Sequence, residues 1–587
     1  MKKSKIAGRL TALMLSAAVS ISALTGCGSE VPAGSETAAG AESGEAPITL
    51  TVFSQLANFS GPVGGWGGQL MLDKFNVILN IVPDTNGAIQ TRMEQGDLGD
   101  IVVFGSDGAN YTDSIRNGLL LDWNEDDILS DYGPYIKEHF AKALEKNAGI
   151  VPLDEDGNPL TEPGVVHGFG HNIGNSDRDG IDSILYTWDL RWDLYQQLGY
   201  PEVNELEDFI PLFEAMKEIC PEDENGKPTY AFYLWPDWDG NMVMYVKSMA
   251  SAYYGYDEFG IGLYDTETGA FYDCLDKNGP YVRCLRFLNK LYQKGLIDPD
   301  SMTSTYDIMT EKMKAGGVFC SIFNYAGSDV YNTEQHIQEN KLMLSFNPKQ
   351  GHPIVYGLSP LGGNRIWTIG AKTEYPELCM EIINYLATPE GAMTMWYGPR
   401  GVCWDYDTDG NTVFTALGKS ANLDPKGTSM ESAGYSGTYQ DGIIQINNTT
   451  WSEKAINPDS NGEAFDSKLW KSEISDPVNE VEKAWREYSG SISEFDYISN
   501  HVDYRMSPGS TYSEGKRSDD LEIRWNEVTT NCIVPGSWNA IYASSDEEFE
   551  SVLNNMIGQA KAHGYDECVK WCKSEAALRK AAEDALK

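Results

Sequence analysis

The stretch from Ile48 to Phe104 sets the architecture. Ile48-Thr-Leu-Thr-Val-Phe53 is β-branched and apolar and predicts a strand. The Gly-rich run Gly61-Pro-Val-Gly-Gly-Trp-Gly-Gly68 follows as a loop, then a helical pattern at Gln69 to Phe75. Val77 to Val82 and Ile101-Val-Val-Phe104 predict two further strands, with a helix at Ala88 to Gln95 between them. Strand, helix, strand, helix, strand is an α/β order. Continuously apolar strands fit a parallel sheet covered on both faces. The body from Pro47 to Lys587 is longer than the roughly 250 to 300 residues one core serves, so two or more domains are expected.

Downstream the pattern continues. Ile184 to Thr187 predicts a strand. Asp189 to Leu198 predicts a helix, because Leu190, Leu194 and Leu198 fall at i, i+4 and i+8 and Gly199 and Pro201 close it. Leu206, Phe209, Ile210, Phe213 and Met216 mark another helix, with Pro211 near its first turn. Strands are expected to begin around Ala315 to Phe319 and at Arg365 to Gly370. Helices are expected from Pro376, from Thr388-Pro389-Glu390, and from Ser545, where Glu548 completes a capping box. Gly418 to Ser510 is polar and aromatic without a clear period and yields no prediction.

The N-terminus carries a different signal. Lys2, Lys3, Lys5 and Arg9 precede the apolar run Leu10 to Leu24, which is too short to span a bilayer comfortably. A basic start, a short apolar run and small residues make an export signal. Leu24-Thr25-Gly26-Cys27 resembles the lipobox of bacterial lipoproteins, whose Cys receives a diacylglycerol thioether. Residues 1–26 are therefore expected to be a signal peptide, with lipidation at Cys27. Residues 27–47 should form a flexible tether, since Val31 is the one large apolar side chain from Gly28 to Ala46. The expected location is the extracellular face of the cell membrane, held there through the lipid alone.

The chain has 44 basic and 87 acidic residues, a net charge of -43. That charge repels phosphate backbones and anionic headgroups, which argues against nucleic acid and peripheral membrane binding. The aromatic residues (15 Trp, 32 Tyr and 19 Phe) leave a surplus beyond core needs for a binding cleft. Besides Cys27 the cysteines are Cys220, Cys274, Cys284, Cys320, Cys379, Cys403, Cys532, Cys568 and Cys572. None forms a Cys-x-x-Cys pair, which disfavours a zinc ribbon. Asp405-Tyr-Asp407-Thr-Asp409-Gly410 begins like a calcium loop, but its twelfth position is Ala416. An Asp-Gly hairpin turn is the expected reading, and Asp154 to Asn158 reads the same way. Leu417-Gly418-Lys419-Ser420 lacks the first glycine of a P-loop, which is Val413 here. His167 and His171 stand among glycines instead of on a helix, and there is no Gly-x-Ser-x-Gly elbow. No catalytic residue, metal or cofactor is assigned.

Several blocks carry a resemblance. They are the lipobox, the first strand, Gln95-Gly-Asp-Leu-Gly-Asp-Ile101, the run from Tyr186 to Phe209, Gly295-Leu-Ile-Asp-Pro-Asp300, Tyr375 to Gly391, and Ser545 to Asp566. In this order they are similar to extracellular solute-binding lipoproteins of carbohydrate ABC transporters, family 1 type, of the Gram-positive oligosaccharide-uptake subgroup. One departure is Gly99, where that family carries Pro. The resemblance implies a periplasmic-binding-protein-like α/β fold: two lobes, a hinge and a ligand cleft. By analogy, residues 48–184 and 343–395 form lobe 1, and residues 185–342 and 396–587 form lobe 2.

The implied function is capture of an oligosaccharide and its delivery to the permease subunits of an ABC importer, without chemistry. A sugar cleft needs aromatic platforms and planar polar side chains on loops. The candidates are Trp66, Asp107, Trp235, Asp237, Trp238, Trp396, Arg400 and Trp404, with ordinary core burial as the competing role for each. Two rival functions remain: a secreted glycoside hydrolase or lyase, which needs only two placed carboxylates, and a peptide-binding lipoprotein. Against the latter, the Gly-Asp-Leu-Gly-Asp turn arrives soon after the first strand, with no strand-rich insertion before it.

Overall fold

The computed structural model describes residues 46–587, apart from 86, 154–157, 161–163, 176–179, 509, 510, 513, 586 and 587. The expected signal peptide, Cys27 and nearly all of the tether lie outside the described residues. Pro47 to Lys587 forms one unit.

A six-stranded sheet grows outward from Ile48–Ser54. Val77–Pro83 pairs with it in parallel, Ile48 opposite Val77. Ile101–Phe104 pairs in parallel on its other side, Val52 opposite Ile101. Successive side chains point to opposite faces. Leu50, Val52, Ile101 and Val103 join one apolar cluster, while Phe53, Val102 and Phe104 join another. Helices Gly65–Phe75 and Pro376–Ala387 cover the first face. Ala88–Gln95 and Ala109–Arg116 cover the second. The expected parallel order holds for these three strands. Ile366–Ile369 and Gly168–Gly170 then extend the sheet antiparallel, with Ile366 opposite both Phe104 and Gly170.

The turn into Ile101–Phe104 explains Gly99. Its φ of +107° is barred to proline, whose ring fixes φ near -65°. Its amide donates to Asp97 Oδ1 at 3.0 Å, while Asp100 Oδ2 accepts the Thr51 amide at 2.8 Å and Oδ1 accepts the Thr373 hydroxyl at 2.6 Å. The carboxylate of Asp100 thus ties the turn to the central strand.

A second body is built on Tyr186–Arg191, flanked antiparallel by Cys320–Phe323 and Met343–Phe346. Trp188 stacks on Phe209 with ring centroids 4.7 Å apart. Helix Met244–Tyr254 is buried from Met244 to Tyr253. Helices Pro280–Gln293, Val534–Ile541, Asp546–Ala562 and Tyr565–Asp584 complete this cluster. Between the bodies, Ile181–Ser183, Ile354–Gly357 and Arg505–Ser507 form a small sheet with its own apolar centre of Ile181, Ile184, Val355 and Ile498.

Four expectations need correction. Trp66 lies in helix Gly65–Phe75 instead of a loop, fully enclosed, its indole donating to the Tyr439 carbonyl at 2.8 Å. The glycines there serve close packing: a Cβ on Gly67 would sit 2.2 Å from the Gly442 oxygen. Asp189 belongs to a strand, and the helix starts only at Trp192. Leu190 lies in the strand and Leu194 in the helix, both buried, so their spacing of four mimicked one helical face. Glu548 reaches back to the Ser544 amide at 2.8 Å, not to Ser545, although the Ser545 hydroxyl does accept the Glu548 amide. The last correction concerns residues 396–470, expected in lobe 2. Trp404, Tyr439, Trp451, Phe465 and Trp470 bury in the first body, where Tyr439 stacks on Trp66 at 5.5 Å. The chain crosses between the two clusters from Ile173 to Trp188, from Phe346 to Trp367 and from Trp470 to Val481.

Replacing Gly99 by proline should destabilise the protein by about 2 kcal/mol or more, through the forbidden φ and the lost Asp97 bond. Urea unfolding checks this; an unchanged midpoint would contradict the role given to the turn.

Candidate functional site

The second body presents an aromatic wall. Trp235 is 1 % exposed and Trp238 is 43 % exposed, so the first ring supports the second. They meet edge to face at 5.8 Å, and Trp238 lies 4.8 Å from the Tyr306 ring and 6.2 Å from Tyr325. Acids hold the loop in place. Asp237 Oδ2 accepts the Tyr306 amide at 2.8 Å. Asp239 accepts the Met244 amide at 2.7 Å and the Trp538 indole at 2.6 Å. A fixed, half-open aromatic face suits the apolar C–H side of a sugar ring.

Beyond Tyr325 the chain turns through Gly327 into Ser328–Tyr331, which carries Asp329. Burial and then Asp329 push the Tyr306 hydroxyl up to about 12, placing the wall and this acid in one field. Across from it the first body supplies Lys468, whose ammonium meets Asp329 Oδ1 at 2.5 Å. Burial alone would lower the Lys468 pKa, but Asp329, Glu494 and Asp466 outweigh it and raise it well above the usual value. Lys468 is nevertheless 51 % exposed at its side chain, so the pair stays reachable by solvent and is worth little as a stabilising contact.

More charges line this seam. Lys454 pairs with Asp466, whose Oδ1 also accepts the Lys468 amide at 2.9 Å. Glu453 is solvent-exposed at its surface and makes no side-chain hydrogen bond or ion pair among the described residues; desolvation by the protein packed around it and then the Asp466 charge raise its pKa. The Ser345 hydroxyl donates to Glu494, whose pKa is pushed up to about 7 by burial and then by Asp189. Asp182 is bonded by the Ser452 hydroxyl and pushed up to about 6, mainly by burial. The arrangement can grip a polar, hydroxyl-rich solute with charge-assisted hydrogen bonds from both bodies.

Of the sequence candidates, the structure gathers Trp235, Asp237 and Trp238 at one place. Asp107 is 3 % exposed at the carboxyl end of the sheet. Trp396 packs 5.5 Å from Phe465. Trp404 is fully buried, its indole donating to the Gly398 carbonyl at 2.8 Å. Arg400 pairs with Asp405 at 3.0 Å and lies over Tyr406. That ion pair borders the expected hairpin, in which Trp404–Tyr406 pairs with Thr412–Phe414 around Gly410. Trp66 and Trp404 thus have no open face here. Sequence reading missed Tyr306, Tyr325, Asp329, Glu453, Lys454, Lys468 and Glu494. They come from separated segments, and the last four lie where no periodicity was visible.

No protein-family profile and no curated protein sequence matches the chain. Solved structures do. The calcium-free alginate-binding protein AlgQ2 aligns with a TM-score of 0.58 at 14% identity, over 91% of this chain and 99% of that one. The Streptococcus pneumoniae ABC-transporter substrate-binding protein FusA, in complex with kestose, gives 0.55 at 15% identity, over 91% and 99%. The N-glycan transport solute-binding protein NgtS of the same organism gives 0.50 at 14% identity, over 92% and 100%.

Glu494 sets a pH dependence. A carboxyl with a raised pKa favours the folded state when protonated, so its contribution fades as pH climbs from the usual Glu range to about 7. Glu494→Gln should therefore stabilise the protein more, relative to wild type, above that window than below it. Urea midpoints on both sides of the window measure this, and an equal difference on both sides would refute the assignment. In architecture, the chain has the fold of the ABC-transporter substrate-binding proteins.

Proposed function

We propose that this protein is a lipid-anchored receptor that captures an oligosaccharide and hands it to the permease subunits of an ABC importer. The observation that carries the reading is the Trp238–Tyr306 wall beside a charged seam that spans both bodies, with Lys468 and Asp329 meeting across it. A solute touching both sides favours a closed arrangement by its differential affinity, and the transporter reads that arrangement. The solved relatives are consistent with this: one is described as alginate-binding, one holds kestose, and one is described as serving N-glycan transport. Anchoring through Cys27 at the extracellular face rests on the basic, apolar and small-residue pattern of residues 1–27. We take residues 47–175 and 366–470 as one lobe and 185–346 and 480–585 as the other.

One observation favours a second reading. Glu494, its pKa pushed up to about 7 by burial and neighbouring carboxylates, has the character of a general acid in glycoside hydrolysis. The Ser345 hydroxyl bonded to it and the lysines beside it also suit static binding, which is the reading we adopt.

A thermal-shift panel of oligosaccharides and of di- and tripeptides separates the possibilities. A bound ligand at 100 times its dissociation constant adds about 2.7 kcal/mol. The expected result is stabilisation by an oligosaccharide, no cleavage products by chromatography, and affinity about tenfold weaker in Trp238→Ala. Stabilisation by peptides alone, or turnover of the sugar, would overturn the reading. Labelling with radioactive palmitate, lost in Cys27→Ala, tests the anchor.

A further inference from the structure

Arg365 is exposed, and its guanidinium makes no hydrogen bond, ion pair or ring contact among the described residues. It stands apart in this chain. Every other described arginine pairs with a carboxylate, except Arg92, which lies over the Phe53 ring. In a chain with 87 acids and 44 bases, an arginine with no carboxylate partner among the described residues is a place where an outside anion can be held. Although the side chain is exposed, desolvation by the protein around it lowers its pKa.

The sheet register places its neighbours. Ile366 pairs with Phe104 on one side and with Gly170 on the other. Arg365 therefore stands one residue beyond the carboxyl end of Ile101–Phe104, in line with Gly105 and His171. In open α/β sheets this edge is where ligands sit. The Arg365 amide donates to His171 Nδ1 at 3.3 Å, which assigns the ring proton to Nε2. Burial, then Arg365 and then Lys146, push His171 down to about 3, so it stays a neutral donor. Lys146 bonds only uncharged oxygens, the Gly362 carbonyl and Asn364 Oδ1, each at 3.3 Å. Just along the chain, Ile173, Gly174 and Pro360 line a cavity of about 460 Å³ with Trp451 and Lys142, large enough for sugar rings.

We infer that Arg365, Lys146 and the His171 Nε2–H form a subsite for an oxyanion carried by the sugar, a carboxylate or a sulfate ester. Arg365 supplies the planar fork that matches such a group, Lys146 a point charge, and His171 a neutral donor. The inference deepens the receptor reading and rests on it: the captured oligosaccharide is acidic. An anionic solute is otherwise repelled by a protein of net charge -43, so Arg365, together with Lys146, whose ammonium hydrogen-bonds neutral oxygens while Asp107 acts on it through its charge, gives the solute a local point of attachment.

Phenylglyoxal, which modifies accessible guanidinium groups, provides the test, with labelling at Arg365 followed by peptide mass mapping of the whole chain. At matched ionic strength, glucuronate or glucose 6-sulfate should slow labelling of Arg365 several-fold, while glucose should not. Whichever anion protects identifies the oxyanion, and Lys146→Gln should cut the protection. Labelling unaffected by either anion, slowed equally by glucose, or protected undiminished in Lys146→Gln would overturn the subsite. The Arg365 guanidinium makes no hydrogen bond, ion pair or ring contact among the described residues, so Arg365→Gln should fold normally, and it should lose any preference for an acidic oligosaccharide over its carboxyl-reduced counterpart. If a neutral oligosaccharide binds while both anions leave Arg365 unprotected, the subsite fails and the receptor reading stands. If the anions protect but no oligosaccharide binds, the receptor reading is the one that fails.

Discussion

The geometry of the cleft hangs on one buried carboxylate. Asp189 is fully enclosed on the central strand of the second body, where an unsatisfied charge would be prohibitive. It accepts the Ser328 amide and the Thr187 hydroxyl, each at 2.7 Å. Burial raises its pKa and these bonds oppose the rise. The Ser328 bond fixes the start of the short helix that carries Asp329, and hence the direction in which that acid meets Lys468. Gly327 is part of the same constraint, since a Cβ there would lie 2.8 Å from Asp189 Oδ2. A strand, a glycine and a turn thus aim an acid across the gap between two bodies.

Much of this frame was legible in the residues. The strands at Ile48, Val77 and Ile101 and the helix Ala88–Gln95 emerge where apolar runs and turn residues place them. Pro376 and Pro389 open helices as expected, the latter capped by the Thr388 hydroxyl. These elements are legible because local period and global burial agree. Asp189 was misread for the opposite reason: a strand end and a helix start together reproduced a helical spacing.

The seam was not legible at all. Residues 418–470 fold as short helices and turns whose burial follows the outline of the first body, and 480–507 then move on to the second cluster and the small sheet, so no single period of 2 or 3.6 runs through the stretch. Lys468 finds its meaning only against Asp329 and Glu494 from other segments, while Lys454 pairs with Asp466 nearby. The aromatic half was partly visible, because Trp235, Asp237 and Trp238 are neighbours in sequence; Tyr306 and Tyr325 join them only through tertiary packing. Counting tryptophans cannot separate Trp238, which is open, from Trp66 and Trp404, which are sealed by neighbouring backbone.

The return of residues 403–470 to the first body has a consequence for the order of assembly. Trp66 reaches its hydrogen-bond partner Tyr439 across 373 positions of chain. On a ribosome working from the N-terminus, the earliest helix must wait with its tryptophan unsealed while most of the second body is made. Contacts that distant close late and slowly. A polypeptide built this way delays its own compaction, and so remains threadable for most of its synthesis.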